Sequence, residues 1–321
     1  MDSHVCVEKT KISANCAKSL VLYSPAKLNL FLEVLKKRSD GYHDLLTLFE
    51  RISLSDRIQL TTLAYDEIVV SSKSPDIPLD HNNLAYKAAE LIKRSQRIRQ
   101  GVKIEIDKII PVGGGLGGGS SDAATVLLGL NKLFSLKLDK KTLIGYANKL
   151  GSDVAFFIFD CNFAVGKGRG GELKKVLLPN TAKLWHLLFV PHVKVMTKEV
   201  YFLLDQEENL QKKAKKSQKS LKLTKKPDNV KILVSNIKKR DLNSLNRNIY
   251  NRLSLTVMES YRLVSDLKDD LLKLGLEQVH MSGSGPTLFM NFKTKSAAQE
   301  VFERIHDRIS DRCRLFLTST L

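Results

Sequence analysis

The sequence predicts an α+β fold, on three observations. Stretches in which apolar and polar residues alternate at period two are mixed with stretches at helical period, without the regular strand–helix alternation of a parallel α/β sheet. Some strand-like stretches are separated only by turn signals such as Gly283-Ser284-Gly285, as antiparallel hairpins require. A glycine-rich stretch, PVGGGLGGGSSD at 111–122, leaves one strand-like segment and enters a helical one. The length of 321 residues suggests about two domains at roughly 150 residues each.

Taken in chain order, residues 21–35 read as a strand. Ala26, Leu28, Leu30, Leu32 and Val34 alternate onto one face, and Lys27, Asn29, Phe31 and Glu33 share the other. Asp40-Gly41 then signals a turn, with Tyr42 and His43 just past it. Strands are expected at 57–62 and 66–72. A helix is expected at 83–96, with Leu84, Ala88, Leu91 and Ile92 on one side. Residues 102–110 alternate as a strand. After the glycine-rich stretch, 120–134 has helical spacing, and a further helix is expected at 140–150. The second half opens near 180 without a sharp linker. It reads as a strand at 186–192, a short helix 198–204 that Thr197 could cap, and one long helix 254–274 between Ser254 as N-cap and Gly275 as stop. Strands at 276–281 and 286–292, a helix at 295–308 and a strand at 313–318 close the chain. The division expected is therefore an extension at 1–20, a first domain at 21–180 and a second at 181–321.

Composition excludes several classes. With 43% hydrophobic and 27% charged residues, the chain is neither collagen-like nor wholly disordered. No apolar run approaches the length of a membrane helix, and residues 1–20 lack the apolar centre of a secretion signal. Cys6, Cys16, Cys161 and Cys313 are scattered, with no paired spacing for zinc or a disulfide framework, which points to a reducing cytoplasm. The net charge of +18 is concentrated: 211–240 holds twelve Lys/Arg against one Asp, a net +11, leaving +7 for the rest. No aromatics interleave these lysines for base stacking. The tract at 211–226 therefore reads as a solvated insertion rather than a nucleic-acid site.

The glycine-rich stretch carries the chemistry. Six glycines in seven residues let main-chain N–H groups close around an anion. The following helix adds its unpaired N–H groups and partial positive charge, Ser120 and Ser121 add hydroxyls, and Asp122 adds an acceptor. A polyphosphate is the natural occupant. The Walker ending is absent, because Gly166-Lys167 is followed by Gly168. The dinucleotide pattern matches formally at Gly113, Gly115 and Gly118, with Asp139 about 20 residues on, but it leaves Gly114, Gly117, Gly119 and the Ser-Ser-Asp unexplained.

PVGGGLGGGSSDAA resembles the phosphate loop of the GHMP kinases. Within that superfamily, PAKLNLFLEVLKKRSDGYHDLLTLFE (25–50), the loop itself and LGSDVAFFIF (150–159) are similar to the kinases of 4-diphosphocytidyl-2-C-methyl-D-erythritol, of the non-mevalonate isoprenoid pathway. MSGSGPTLF (281–289) resembles the superfamily's third motif. The resemblance implies a two-domain architecture, with an N-terminal domain like the second domain of ribosomal protein S5 and a ferredoxin-like C-terminal domain. It implies transfer of the ATP γ-phosphoryl group to a hydroxyl of the methylerythritol moiety, with Mg²⁺.

The resemblance also assigns residues. Asp153 matches the base that takes the hydroxyl proton, although on residue type alone an Asp after Gly-Ser is more often a helix cap. Lys27 matches the cation beside the transferred group, where it would bind phosphate or tune the base. ATP would lie on Pro111, Val112, Gly113, Gly114, Gly115, Leu116, Gly117, Gly118, Gly119, Ser120 and Ser121. The cytidine diphosphate handle would meet Asn29, Tyr42, His43, Thr197 and Tyr201, with Tyr42 and Tyr201 stacking on the base and His43 reading its edge. The metal ligands are unassigned. One departure stands out: the family's late Asn-Asp-Leu is Asn251-Arg252-Leu253 here, a change expected to bear on domain packing.

Overall fold

The computed structural model describes residues 17–179, 182–214 and 228–321. The lysine tract lies largely outside the described residues, as does the extension up to residue 16.

Two sheets organise the chain. The larger begins with β1 (Ser19–Lys37), which turns back at Asp40-Gly41 into β2 (His43–Leu63). β3 (Ile68–Ser72), α1 (Leu84–Gln96), β4 (Gly101–Asp107), α2 (Gly118–Leu133), α3 (Lys140–Leu150), α4 (Val154–Ile158), β5 (Phe163–Gly168) and β6 (Glu172–Lys175) follow. The smaller sheet begins with β7 (Trp185–Pro191). After it come α5 (Thr197–Ala214), α6 (Asp228–Lys239), α7 (Leu242–Asn248), β8 (Tyr250–Asn251), α8 (Ser254–Ser260), α9 (Arg262–Lys273), β9 (His280–Met281), β10 (Leu288–Phe292), α10 (Lys295–Ile309) and β11 (Cys313–Ser319). The large sheet runs β3-β4-β2-β1-β8, with β5 on β2 and β6 on β5. The small sheet runs β11-β7-β10-β9, all antiparallel, which is the split β-α-β-β-α-β order of a ferredoxin-like unit. The predicted α+β class holds.

Sequence and structure part company at several places. A bulge at Leu30 shifts the β1–β2 register: Asn29 pairs with Phe49 but Phe31 with Leu48. Cross-strand partners share a face, so beyond the bulge the phase flips. Phe31 joins Ala26 and Leu28 in the core between the sheets, and Leu32 joins the Lys27 face instead. The predicted single helix 254–274 is two, because Tyr261 leaves helical geometry at φ −123 and ψ 89. Both helices feed Val257, Val264, Leu267 and Leu271 into one core, which is why the periodicity reads through the break. Ser254 is the first helical residue and not the cap, which falls on Leu253. Thr197 likewise opens a helix that runs on to Ala214.

Three cores hold the layers together. α1 to α4 cover one face of the large sheet around Leu60, Ile92, Ile104, Leu127 and Phe156. Phe189, Val200, Val257, Leu267 and Ile305 fill the space between the small sheet and its helices. Leu28, Phe31, Leu48, Leu233 and Phe289 pack between the two sheets. A buried polar chain crosses the same junction. Glu50 on β2 takes a hydrogen bond from Thr320 at 2.6 Å and pairs with His186 on β7 at 3.0 Å, and His186 meets Asn291 on β10 at 2.9 Å. Buried polar groups need such partners, so this chain fixes how the sheets sit on each other.

Candidate active site

Where the sheets meet, a cavity of about 980 Å³ opens, lined by the glycine-rich loop, β1, the β1–β2 turn, the start of α5 and the turn before β10. The loop leaves β4, crosses 111–117 and becomes α2 at Gly118, so the first N–H groups of a 16-residue helix face the loop. At Gly115 the backbone has φ +73, and a Cβ there would stand 2.4 Å from the Ser282 carbonyl oxygen and 2.8 Å from that of Gly285. Only glycine lets the loop lie this close to the 282–285 turn. Ser282 Oγ donates to the Gly115 carbonyl at 3.3 Å, and the N–H of Asn29 donates to Ser282 Oγ at 3.3 Å. Asn251 clamps the turn from behind, its side-chain amide donating to the carbonyls of Met281 (2.9 Å) and Gly283 (2.7 Å).

Lys27 lies at the centre. Its own N–H donates to the Leu116 carbonyl at 2.9 Å, tying β1 to the loop. Its ammonium, only 5% exposed, donates to Asn29 Oδ1 at 2.6 Å and faces Asp153 at 3.3 Å. Asn29 is oriented by Thr47, whose hydroxyl takes the amide hydrogen at 2.8 Å and itself donates to the Phe31 carbonyl at 2.7 Å. Asp153 precedes α4 in a near-helical conformation, φ −85 and ψ −15, and makes no capping bond. Its carboxylate is instead 30% exposed, on the cavity wall. Arg51 steadies α4 by donating to the carbonyls of Phe156 and Phe157 at 3.3 and 3.0 Å. A buried ammonium and an accessible carboxylate therefore stand side by side next to the glycine-rich loop. Such a pair can take a proton from a hydroxyl and balance charge on a transferring group.

A second cluster lies at the far end of the cavity. The rings of His43 and Tyr201 stack, with centroids 5.2 Å apart and planes at 24°. His43 Nε2 pairs with Asp205 at 2.9 Å, and Lys37 donates to the same carboxylate. Burial opposes ionisation of Asp205, but the hydrogen bonds from Lys37 and His43 prevail and hold its carboxyl below the usual range. Burial and the charge of Asp153 push the Tyr201 phenol up, so it stays protonated. Tyr42 is half-exposed, with the Arg169 guanidinium 3.6 Å from its ring centre. Thr197 shares a hydrogen bond with Ser284 at 2.8 Å, joining α5 to the glycine turn.

The chain matches the models of the GHMP kinases N terminal domain over residues 83–160 and the GHMP kinases C terminal domain over 233–311. It is 38% identical to the 4-diphosphocytidyl-2-C-methyl-D-erythritol kinase of Bacillus subtilis strain 168 over 281 residues, 87% of this chain and 90% of that one. The chain belongs to the GHMP kinases, in the group of the 4-diphosphocytidyl-2-C-methyl-D-erythritol kinases. A crystal structure of a 4-(cytidine 5'-diphospho)-2C-methyl-D-erythritol kinase superposes with TM-score 0.71 at 30% identity, covering 93% of this chain and 98% of that one. A homoserine kinase from Cytophaga hutchinsonii ATCC 33406 shares the fold, with TM-score 0.67 at 18% identity over 98% of this chain and 97% of that one.

Set on this GHMP kinase frame, nearly all the residues singled out from sequence line one cavity: Lys27, Asn29, Tyr42, His43, 111–120, Asp153, Thr197 and Tyr201. Ser121 does not. It is fully buried in the first turn of α2, its hydroxyl meets no partner among the described residues, and it is not part of the lining. Asp139, the acidic residue of the formal dinucleotide pattern, caps α3 by accepting from the Thr142 N–H at 2.8 Å.

The fold gathers a buried cluster beneath the loop, of which the sequence singles out only Asp122, as an acceptor at the helix start. Lys108 lies between Asp56 and Asp122, reaching Asp122 at 3.2 Å, and Ser24 donates to Asp122 at 2.8 Å. Burial raises the Asp122 carboxyl to about 7; Lys108 opposes the rise and Asp56 adds to it. Arg169 and Asp205 were also passed over, and Asn251 was named only as part of Asn251-Arg252-Leu253, with no role at the glycine turn. Asp205 was within reach of a pattern argument, since it lies four residues after Tyr201 on a helix and so shares its face.

Proposed function

We propose that this chain binds ATP on the glycine-rich loop and transfers its γ-phosphoryl group to a hydroxyl of 4-diphosphocytidyl-2-C-methyl-D-erythritol, working in the cytoplasm. The observation that carries the mechanism is the Lys27–Asp153 pair, 3.3 Å apart at the junction of the loop and the aromatic cluster.

In this reading the triphosphate lies along 111–120 and the N-terminus of α2, whose N–H groups receive its charge. The cytidine end of the acceptor lies among Tyr42, His43 and Tyr201, remote from the reacting atoms. There it supplies binding energy and orients the hydroxyl. Asp153 accepts the hydroxyl proton as the oxygen attacks the γ-phosphorus; the bond to the bridging oxygen breaks and ADP leaves. Lys27 stabilises the charge that spreads over the phosphoryl oxygens, and Asn29 holds its ammonium in place.

Mg²⁺ fits this scheme as an ion carried by phosphate oxygens. Such an ion needs only one or two protein oxygens, and the Ser120 hydroxyl and Asp153 carboxylate on the cavity wall are of the right chemistry. When bound, it would neutralise phosphate charge.

The test is a phosphoryl-transfer assay in which purified protein and Mg-ATP are offered 4-diphosphocytidyl-2-C-methyl-D-erythritol, mevalonate and homoserine in parallel. ADP release with the first alone is expected. Turnover of either of the others in its place would refute the substrate assignment.

A further inference from the structure

The β5–β6 turn brings a cation into the cavity that neither the phosphate loop nor the Lys27–Asp153 pair accounts for. Gly168 and Gly170, with φ +61 and +100, flank Arg169 and let the turn present it inward. The guanidinium lies 3.6 Å from the centre of the Tyr42 ring. Its Nε is closed off from solvent and donates to no described residue. No described carboxylate forms an ion pair with it; the nearby Asp40 is taken by Arg38 at 3.1 Å. A buried N–H without an acceptor is costly, so this donor points to an acceptor brought by a ligand.

The placement says which anion. Arg169 touches Tyr42 at the aromatic end. The next residue packs toward the other end, since a Cβ on Gly170 would stand 3.8 Å from the Ser152 Cβ, one residue before Asp153. The turn therefore spans the gap between the base-stacking cluster and the carboxylate. A ligand with its base at Tyr42 and its hydroxyl at Asp153 must lay its linking group across that gap.

We propose that Arg169 is a substrate-binding residue that backs the Tyr42 ring with its flat face and donates to the diphosphate of the acceptor through its edge. The assignment rests on the reading that the acceptor is a cytidine diphosphate conjugate. Arginine suits both tasks, because its plane stacks on an aromatic ring while its N–H groups form charge-assisted bonds to phosphate.

The test is calorimetric titration of the full chain with CDP and, separately, cytidine, for the wild type, Arg169→Ala and Arg169→Lys, alongside steady-state kinetics. Arg169→Ala should bind CDP about ten- to a hundredfold more weakly, the range lost with a hydrogen bond to a charged group, and bind cytidine with a clearly smaller loss, from the unsupported Tyr42 ring alone. KM for the acceptor should rise by a similar factor with KM for ATP unchanged, and Arg169→Lys should recover part of the CDP affinity. Equal CDP binding by wild type and Arg169→Ala would overturn the assignment. So would equal losses for CDP and cytidine, which would mean packing against Tyr42 alone, or tighter CDP binding, which would make Arg169 a plug. A wild type that binds no CDP would overturn the acceptor reading along with it.

Discussion

Adding one methyl group at Gly115 is the sharpest structural perturbation of the glycine-rich loop on which ATP is proposed to lie. The backbone there has φ +73, and forcing an L side chain into that region costs about 1–2 kcal/mol. The new Cβ would also meet the carbonyl oxygens of Ser282 and Gly285 at 2.4 and 2.8 Å and the Gly285 nitrogen at 3.1 Å. These are backbone atoms and cannot swing aside, so the loop and the 282–285 turn must separate by several tenths of an ångström, at an overpacking cost of about 1–3 kcal/mol. Gly115→Ala should therefore lose about 2–5 kcal/mol in urea denaturation, as the sum of these two costs. Moving the loop N–H groups off their positions should also weaken ATP binding at least about tenfold, since displacements of about 1 Å cost far more than that in catalysis. Gly275→Ala supplies the control: φ is +79, but nothing lies within 4 Å of the added Cβ. It carries the conformational cost without the collision and should keep ATP affinity. Equal stability losses and unchanged ATP affinity in both variants would refute the claim that the two glycine turns are held in contact to shape the cradle.

Two further predictions concern groups around the loop. The Asp122 carboxyl is raised from 3.8 to about 7, chiefly by burial, so the folded chain holds a proton there that the unfolded chain has released. This contribution to stability is fully present below about pH 3.8 and is lost as pH rises through about 7. Across that window, Asp122→Asn should show a shallower fall in urea midpoint than the wild type; parallel profiles would contradict the assignment. Asn251→Ala removes the two bonds that hold the Met281 and Gly283 carbonyls, at 2.9 and 2.7 Å, and should cost about 1–3 kcal/mol. A thermal midpoint unchanged from the wild type would show that the clamp is idle.

The parts of the site that were legible in sequence are local: a loop and a strand face can be read off neighbouring residues, whereas the roles given to Lys27 and Asp153 came from the family resemblance. Six glycines between a strand and a helix already describe an anion cradle, and Lys27 and Asn29 fall on one strand face before any bulge intervenes. Beyond Leu30 the same reasoning failed for Phe31 and Leu32, because a bulge is a tertiary adjustment that period-two counting cannot detect. β2 was read only at 57–62, since its first half is buried on both faces and does not alternate. α6 was hidden by composition. Val230, Leu233 and Ile237 are spaced as a helix face and buried between the sheets, but they sit in a stretch whose charge dominates the reading. Arg169 and Asn251 matter through what the fold brings beside them, a Tyr42 ring from β1–β2 and a glycine turn from 281–285, and neither neighbour is near in sequence.

In the proposed reaction Asp153 is the proton acceptor beside Lys27. Single-turnover phosphoryl transfer by Asp153→Asn, with ATP and CDP binding measured on the same preparation, tests it directly. Loss of about a hundredfold to ten-thousandfold in rate with both affinities retained is the expected result, the range associated with removing a positioned base. A rate close to wild type would contradict it, because the carboxylate 3.3 Å from the ammonium would then be a structural partner and nothing more.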